Sequence, residues 1–281
     1  MSEAAGAASP ARRVVLLDAT TRQVPVHRWR DGQDQTTVDE VAEEAPVALT
    51  FHGIPHVVML ATPADLEDLA VGFTVSEALV SSVREITSVD VIRTPDAIEV
   101  RIGVASERFS DILKRQRNMT GRTGCGLCGV ETVEEAIRRP AQVAAGIRVT
   151  SDELHAALKD LESRQRLNAR TGSVHAAAWA RPAKGIEVVR EDVGRHNALD
   201  KMIGALLRAG VDPAEGYAIV TSRASYEMAQ KAATAGISFL AAVSAPTGLA
   251  IRLAEASGLT LVGFARPLQH VVYAGAERLI A

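Results

Sequence analysis

Both cysteines of the 281-residue chain lie in one glycine-rich run, Gly124-Cys125-Gly126-Leu127-Cys128-Gly129. Glycine offers no side chain to cover a neighbouring sulfur, whereas a cysteine that serves packing usually lies among large apolar residues. The run therefore predicts accessible thiols. Two intervening residues are compatible with three chemistries: half of a metal site, a redox dithiol, or a thiol that carries a transferable group.

A zinc site is poorly supported by the other ligand-type residues. Tetrahedral zinc takes four protein ligands, or three and a water, and the cysteines supply half of that set. His155, His175 and His196 could complete it, but no two of them have a close paired spacing. Zinc nucleobase deaminases have His-x-Glu before Pro-Cys-x-x-Cys. Here His175 follows the cysteines, and Ala177 occupies the Glu position. We expect no permanently bound metal.

The other two chemistries stay open on spacing alone. A redox dithiol of the thioredoxin type opens a helix that follows a strand. A helix is predicted after the cysteines at residues 131–138, but the segment before them is basic and polar. A sulfur carrier needs an exposed thiol with a lowered pKa, because the thiolate is the attacking form. Arg115, Arg117 and Arg122 lie in this cysteine loop, residues 114–129, and could stabilise a thiolate.

Composition excludes several broad classes. The chain is 47% hydrophobic and 23% charged with a formal net charge of -3, which is a globular profile that gives no general attraction to nucleic acid. No apolar run approaches the roughly 18 to 20 residues of a membrane span. Residues 1–13 are rich in Ala, Ser and Gly and lack the apolar centre of a signal peptide, so we expect a disordered tail. So few cysteines make no disulfide framework, and a cytoplasmic location is expected.

The elements that must position these residues fall into two parts, with a boundary predicted near Ala145. Residues 14–145 form a smaller, strand-rich region that includes the cysteine loop. Its predicted strands are Val14–Leu17, Val47–Phe51, His56–Leu60, Val89–Ile92 and Ala97–Ile102, and its predicted helices are Pro63–Leu79, Ser106–Gln116 and Glu131–Arg138.

Residues 146–281 alternate between strand and helix, and the strands are almost wholly apolar. The predicted strands are Gly185–Arg190, Tyr217–Thr221, Phe239–Val243, Leu259–Phe264 and Val271–Tyr273. The predicted helices are Ser151–Leu161, capped by Thr150 and Glu153, then Asn197–Leu207, Tyr226–Ala235 and Leu249–Ala256. This rhythm indicates an α/β part, α+β for the whole chain, with a parallel or mixed sheet covered by helices on both faces.

Candidate ligand-binding residues, most of them polar, follow the first four predicted strands of this second part. They are Asp192, Arg195 and His196 after the first strand, Arg223 and Ser225 after the second, Ser244 and Thr247 after the third, and Ala265 and Arg266 after the fourth. Open α/β sheets bind ligands at the carboxyl ends of their strands, and helix N-termini with arginines suit an anion. We therefore expect a nucleotide at this edge. The alternative is that the hydroxyl residues are ordinary helix caps, that Asp192, Arg195 and His196 form a buried network, and that His175 is structural.

Six segments together resemble the FdhD family of formate dehydrogenase accessory proteins, over roughly residues 45 to 275. They are Gly124–Gly129, Thr171–Ala177, Arg190–Lys201, Thr221–Met228, Ser244–Thr247 and Leu261–Arg266. The run Arg190-Glu-Asp-Val-Gly-Arg-His-Asn-Ala-Leu-Asp-Lys201 is long and distinctive. One departure is Ser173-Val174, where the family usually has glycine and threonine.

The resemblance implies a sulfurtransferase that passes persulfide sulfur from a cysteine desulfurase to the molybdenum (or tungsten) bis-guanine-dinucleotide cofactor of formate dehydrogenase. It further implies a homodimer and a three-layer, deaminase-like α/β/α domain without zinc chemistry. Cys125 would carry the persulfide with Cys128 as its auxiliary. The guanine nucleotide would lie along Phe264, Ala265, Arg266, Pro267, Leu268 and Gln269. A chaperone that delivers the cofactor without transferring sulfur, and a dithiol oxidoreductase, are the competing classes.

Overall fold

The computed structural model describes residues 19–95, 97–117 and 142–280. The strands are β1 (Thr21–Arg30), β2 (Gln33–Ala42), β3 (Ala45–Phe51), β4 (Ile54–Ala61), β5 (Ile86–Arg93), β6 (Ile98–Val104), β7 (Val149–Thr150), β8 (His175–Arg181), β9 (Gly185–Asp192), β10 (Tyr217–Val220), β11 (Phe239–Ala242), β12 (Thr260–Arg266), β13 (Gln269–Ala274) and β14 (Leu279–Ile280). The α-helices are α1 (Leu66–Ser76), α2 (Ser106–Arg117), α3 (Ser151–Arg164), α4 (Arg166–Thr171), α5 (Arg195–Arg208), α6 (Tyr226–Thr234) and α7 (Gly248–Ser257). Short 3-10 turns cover Val83–Glu85, Pro213–Glu215 and Ala276–Arg278.

The second part of the chain is built on a six-stranded mixed sheet in the order β13-β12-β11-β10-β8-β9. Strands β10, β11 and β12 are parallel to one another, whereas β8 runs antiparallel to both of its neighbours. Alternate residues of each strand enter two cores: one face packs against α5, α6 and α7, and the other against α3. Helices therefore cover both faces, as the rhythm of the sequence predicts.

The first part has its own sheet and core. Its four strands lie in the order β4-β3-β6-β5, with β3 and β6 parallel and the other pairs antiparallel. Helices α1 and α2 cover one face of this sheet. Strands β1 and β2 form a separate antiparallel hairpin, and the short β7 pairs with β14.

Helices α1 and α5 join the two parts through direct backbone contact. A Cβ atom at Gly72 would lie 1.7 Å from the carbonyl oxygen of Asp200, and one at Gly204 would lie 1.9 Å from that of Asp68. Only glycine fits at either position, because the opposing backbone fills the space of a side chain. The two glycines thus fix how closely the helices approach.

A buried charged seam lies beside this crossing. Lys231 Nζ lies 2.9 Å from both Asp200 Oδ2 and Glu77 Oε1, and it donates to Ser76 Oγ at 3.0 Å. Burial alone would lower the pKa of Lys231, but the carboxylates of Asp200 and Glu77 raise it above its ordinary value. Since Ser76 and Glu77 come from the first part and the other two residues from the second, these contacts cross the seam.

The predicted fold class is confirmed: the chain is α/β in its second part and α+β overall. The capping box of Thr150 and Glu153 is confirmed at the start of α3. Most predicted elements exist, and each of their ends lies within three residues of the predicted position. Strands β1, β2, β7, β8 and β14 and helix α4 were not predicted. The tail 1–13, the strand Val14–Leu17, the cysteine loop and the helix Glu131–Arg138 lie wholly or largely outside the described residues. The domain boundary near Ala145 stays a prediction.

Candidate functional site

The carboxyl ends of four strands meet at one edge of the six-stranded sheet. Strand β9 pairs antiparallel with β8, and β8 pairs antiparallel with β10, so β9 runs in the same direction as β10, β11 and β12. Adjacent strands lie about 4.8 Å apart, so the ends of β9 and β12 are about 19 Å apart. The segments that the sequence analysis singled out therefore share one edge, which we call the carboxyl edge.

Backbone hydrogen bonds hold the loops of the carboxyl edge together. Thr247 N donates to Ala224 O at 3.0 Å, which joins the loops after β11 and β10. Phe264 N donates to Ser244 O at 3.2 Å, which joins the end of β12 to the loop after β11. A Cβ atom on Gly263 would lie 2.6 Å from Pro246 Cδ, so the same loop packs closely on β12. The predicted residues Ser244, Thr247 and Phe264 are thus neighbours.

Two helices begin at this edge with hydroxyl caps. Ser225 Oγ accepts from Met228 N at 3.4 Å to cap α6, and Thr247 Oγ1 accepts from Ala250 N at 3.3 Å to cap α7. Each hydroxyl therefore fills the cap role that the sequence also allowed. The first-turn N–H groups of both helices still give the edge a partial positive charge.

Arginine side chains add full positive charge at three points along the edge. Arg195 is the first residue of α5, Arg223 lies between β10 and α6, and Arg266 ends β12. Arg223 and Arg266 are exposed, and Arg195 is partly so. Within the described ranges, none of the three guanidinium groups makes a hydrogen bond or a close ion pair. The edge therefore carries cations that no described carboxylate neutralises directly.

Asp192 does not offer its carboxylate to this edge. The residue is fully buried, and its carboxylate lies 2.6 Å from Lys201 Nζ. It also accepts from Thr62 N at 3.0 Å, Gly194 N at 2.7 Å and Asn197 Nδ2 at 2.9 Å. With these partners Asp192 forms a buried network that does not include Arg195 or His196, and it joins the turn after β9 to the first part of the chain.

The imidazole of His196 lies close to a carboxylate at the carboxyl edge. Its Nε2 atom lies 2.7 Å from Oε2 of Glu227 in the first turn of α6. The nearby imidazole of His196 lowers the pKa of Glu227, although burial acts in the opposite direction. Burial lowers the pKa of His175 nearby, with help from the positive charges of Arg195 and His196. Glu227 was not predicted from the sequence as a site residue.

The β12–β13 hairpin presents most of the predicted nucleotide segment to solvent. Arg266, Pro267, Leu268 and Gln269 are exposed, and Arg266 pairs with Gln269 at the hairpin. Phe264 is 40% exposed and has a left-handed backbone with φ of 48° at a bulge in β12. Such backbone outliers concentrate at binding sites. The side chain of Ala265, by contrast, is buried in the core beneath α3, so only its backbone could face a ligand.

Cys125 and Cys128, the predicted thiol residues, lie outside the described residues. Among the residues that the structure does describe, no group of three or more His, Cys, Asp and Glu side chains is arranged to hold a metal ion. In the same ranges, no helix has both the length and the apolar character needed to span a membrane.

Two joined sheets, with cationic loops on one edge of the larger sheet, define an α+β protein. The chain belongs to the FdhD/NarQ family, whose model matches residues 42–280.

Similar proteins have been named. A sulfur carrier protein FdhD of Cupriavidus necator is 51% identical over 254 residues, covering 90% of this chain and 88% of that protein. A sulfur carrier protein FdhD of Xanthomonas euvesicatoria is 49% identical over 271 residues, covering 96% of each chain. The crystal structure of a protein described as a formate dehydrogenase accessory protein, from Desulfotalea psychrophila, matches with a TM-score of 0.72 at 22% identity. It covers 93% of this chain and all of that one, and at this identity it supports the fold alone.

Proposed function

We propose that this chain is a sulfurtransferase that carries persulfide sulfur on Cys125 to the molybdenum (or tungsten) bis-guanine-dinucleotide cofactor, which is its bound substrate. The cofactor serves formate dehydrogenase, whose catalytic subunit would receive it. The protein would act in the cytoplasm as a homodimer and take its sulfur from a cysteine desulfurase. The names of relatives at about half identity support the sulfur carrier role.

The binding of the dinucleotide cofactor is proposed from one observation, the row of unpaired guanidinium groups along the carboxyl edge. Arg195, Arg223 and Arg266 are spread over strand ends that lie about 19 Å apart. That spread suits an extended molecule with several phosphates better than a single small anion. The first turns of α6 and α7 add N–H groups for phosphate oxygens, and the exposed Phe264 offers an apolar surface for a base.

The chemistry of loading involves no net oxidation. The Cys125 thiolate attacks the outer sulfur of a persulfide on the desulfurase, and a new S–S bond forms while the old one breaks. The desulfurase cysteine leaves as a thiolate, and Cys125 holds the transferred sulfur. The glycines on both sides of the two cysteines have no side chains that could shield the carrier thiol from a partner protein.

Delivery requires two electrons, which Cys128 supplies. Its thiolate attacks the inner sulfur on Cys125, so a Cys125–Cys128 disulfide forms and the outer sulfur leaves as sulfide toward the metal of the substrate. An external dithiol reductant must then restore both thiols. The two cysteines therefore have separate roles, with Cys125 as carrier and Cys128 as the electron donor.

Sulfur loading with each cysteine changed in turn tests these roles. After incubation of the full chain with a cysteine desulfurase and cysteine, intact-mass spectrometry should show the gain of one sulfur. We expect Cys125→Ala to abolish the gain, and Cys128→Ala to keep it but to lose most activation of formate dehydrogenase. Loading that survives Cys125→Ala would contradict the assignment. If a variant with both Cys125→Ala and Cys128→Ala still activated formate dehydrogenase fully, the result would instead support a chaperone that transfers no sulfur.

A further inference from the structure

Two histidines meet where helix α3 approaches the outermost strand of the six-stranded sheet. His155 Nε2 lies 3.0 Å from His270 Nδ1, and the ring centroids are 5.1 Å apart. His155 is in the second turn of α3, and His270 is the second residue of β13. Both residues are partly exposed. Each imidazole therefore directs one nitrogen at the other while the pair stays within reach of solvent.

A helix and a strand, rather than loops, hold this pair in place. Leu154 and Leu158, on either side of His155 in α3, are buried in the core between α3 and the sheet. Val272 lies on the same side of β13 as His270, because alternate residues of a strand share a face, and it packs against the same core. One core thus fixes the two elements that carry the imidazoles.

The two rings have no competing polar partner in the described ranges. The hydrogen bond between His155 and His270 is the only one there that either side chain makes. The outer nitrogens, His155 Nδ1 and His270 Nε2, are not sealed from solvent. Burial and the neighbouring His155 lower the pKa of His270, which favours its neutral ring. The protons of the pair can therefore lie on the outer nitrogens, which leaves two lone pairs directed at each other.

Two imidazole lone pairs at this separation match the ligand geometry of a transition-metal ion. Metal–imidazole bonds are about 2.0–2.1 Å long, so nitrogens 3.0 Å apart subtend an angle of about 90–95° at a shared ion. Neighbouring ligands of an octahedral or square-planar ion make that angle, which is smaller than the roughly 109° of tetrahedral zinc. Water would fill the other positions, since no third His, Cys, Asp or Glu of the described residues joins the pair.

We propose that His155 and His270 form an exchangeable binding site for a divalent transition-metal ion that accepts ligands at right angles, Ni²⁺ or Cu²⁺. Binding breaks the hydrogen bond between the rings and puts the ion in place of the shared proton. Because His270 lies at the start of β13, a bound ion would fasten the β12–β13 hairpin to α3. The site uses no residue of the proposed sulfur transfer, so its test stands apart from the test of that function.

Calorimetry with NiCl₂ tests the inference on the full chain after both cysteines are alkylated, because free thiolates also bind transition metals. We compare wild type with His155→Ala, His270→Ala and the control His27→Ala, whose side chain is 75% exposed on β1. We expect one Ni²⁺ site per chain, which the control keeps. Each site variant should weaken it at least about tenfold, because even the loss of an outer partner of a metal ligand costs about 10–100-fold in affinity.

Pulsed EPR of the Cu²⁺-loaded protein counts the imidazoles bound to the ion. We expect two in wild type and in His27→Ala, and no more than one in either site variant. A single imidazole in wild type, or an affinity that falls in only one of the two variants, would overturn the pair as the ligand set. Wild type that binds no Ni²⁺, or an affinity that neither variant changes, would overturn the site. Where an alanine variant does not fold, His155→Gln or His270→Gln takes its place.

Discussion

Positive charges are paired with carboxylates in the seam between the two parts of the chain. Along the carboxyl edge of the large sheet they are not. In the seam, Lys201 is fully buried and lies 2.6 Å from Asp192, and Lys231 contacts Asp200 and Glu77 at 2.9 Å. Every one of these cations has its carboxylate inside the protein. Along the carboxyl edge, three arginines have no such partner among the described residues.

This difference separates what holds the fold together from what can meet a ligand. A buried ion pair stabilises little by itself, but removing one partner leaves an uncompensated charge in the interior. An unpaired surface cation costs the fold almost nothing and remains available to an anion from outside. Mutations in the seam should therefore change the free energy of unfolding, whereas mutations at the carboxyl edge should change the affinity for a ligand.

The largest effect is expected where Asp192 is replaced by alanine. Lys201 would keep the Thr62 carbonyl oxygen at 2.9 Å but lose its carboxylate, and the buried lysine should cost about 3–5 kcal/mol of unfolding free energy. Urea denaturation of the purified protein measures this loss. Adding Lys201→Met to the variant removes the stranded charge and should recover part of the stability. A loss below about 1 kcal/mol would show that the seam does not depend on this pair.

A smaller loss is expected for Gly72→Ala at the helix crossing. The new Cβ would fall 1.7 Å from the Asp200 carbonyl oxygen, so α1 and α5 must move apart, at a cost of about 1–3 kcal/mol typical of overpacking. Gly248→Ala is the matched control, because its Cβ meets nothing closer than Arg252 Nη1 at 3.6 Å. The control should leave the denaturation midpoint unchanged or raise it slightly. Equal midpoints for both variants would contradict the close contact of the helices.

The strands that could be predicted from sequence are those whose own residues strongly favour a buried strand. Tyr217–Val220 and Phe239–Ala242 are apolar runs between breakers, so β10 and β11 were predicted nearly to the residue. Strand β8, His-Ala-Ala-Ala-Trp-Ala-Arg, was missed because alanine has little intrinsic preference for strands. It is a strand because its neighbours pair with it on both sides, as where Ala178 lies between Ile219 and Val189.

The candidate site also has features that the sequence predicts and features that it does not. The direction of the strands follows from the alternation of elements, so the sequence could bring Arg195, Arg223 and Arg266 to one edge. The partners of single side chains could not be predicted, because they depend on distant segments. Asp192 accepts from Thr62, which lies 130 positions earlier. Glu227 could have been suspected on one signal: like His196, it occupies the first turn of a helix that follows a strand of the same sheet.

The smallest effect on stability is expected for mutations at the carboxyl edge. These mutations test the contrast between the edge and the seam most directly. Arg223 is exposed and has no hydrogen bond among the described residues, so Arg223→Ala should change the unfolding free energy by no more than about 0.5 kcal/mol. The same variant, and Arg266→Ala, should each weaken GDP binding about tenfold, because a charge-assisted hydrogen bond to phosphate is lost. Arg148→Ala, at an exposed arginine beside β7, should alter neither quantity. If the edge variants lose stability while keeping their affinity for GDP, these arginines belong to the fold, and the contrast with the seam fails.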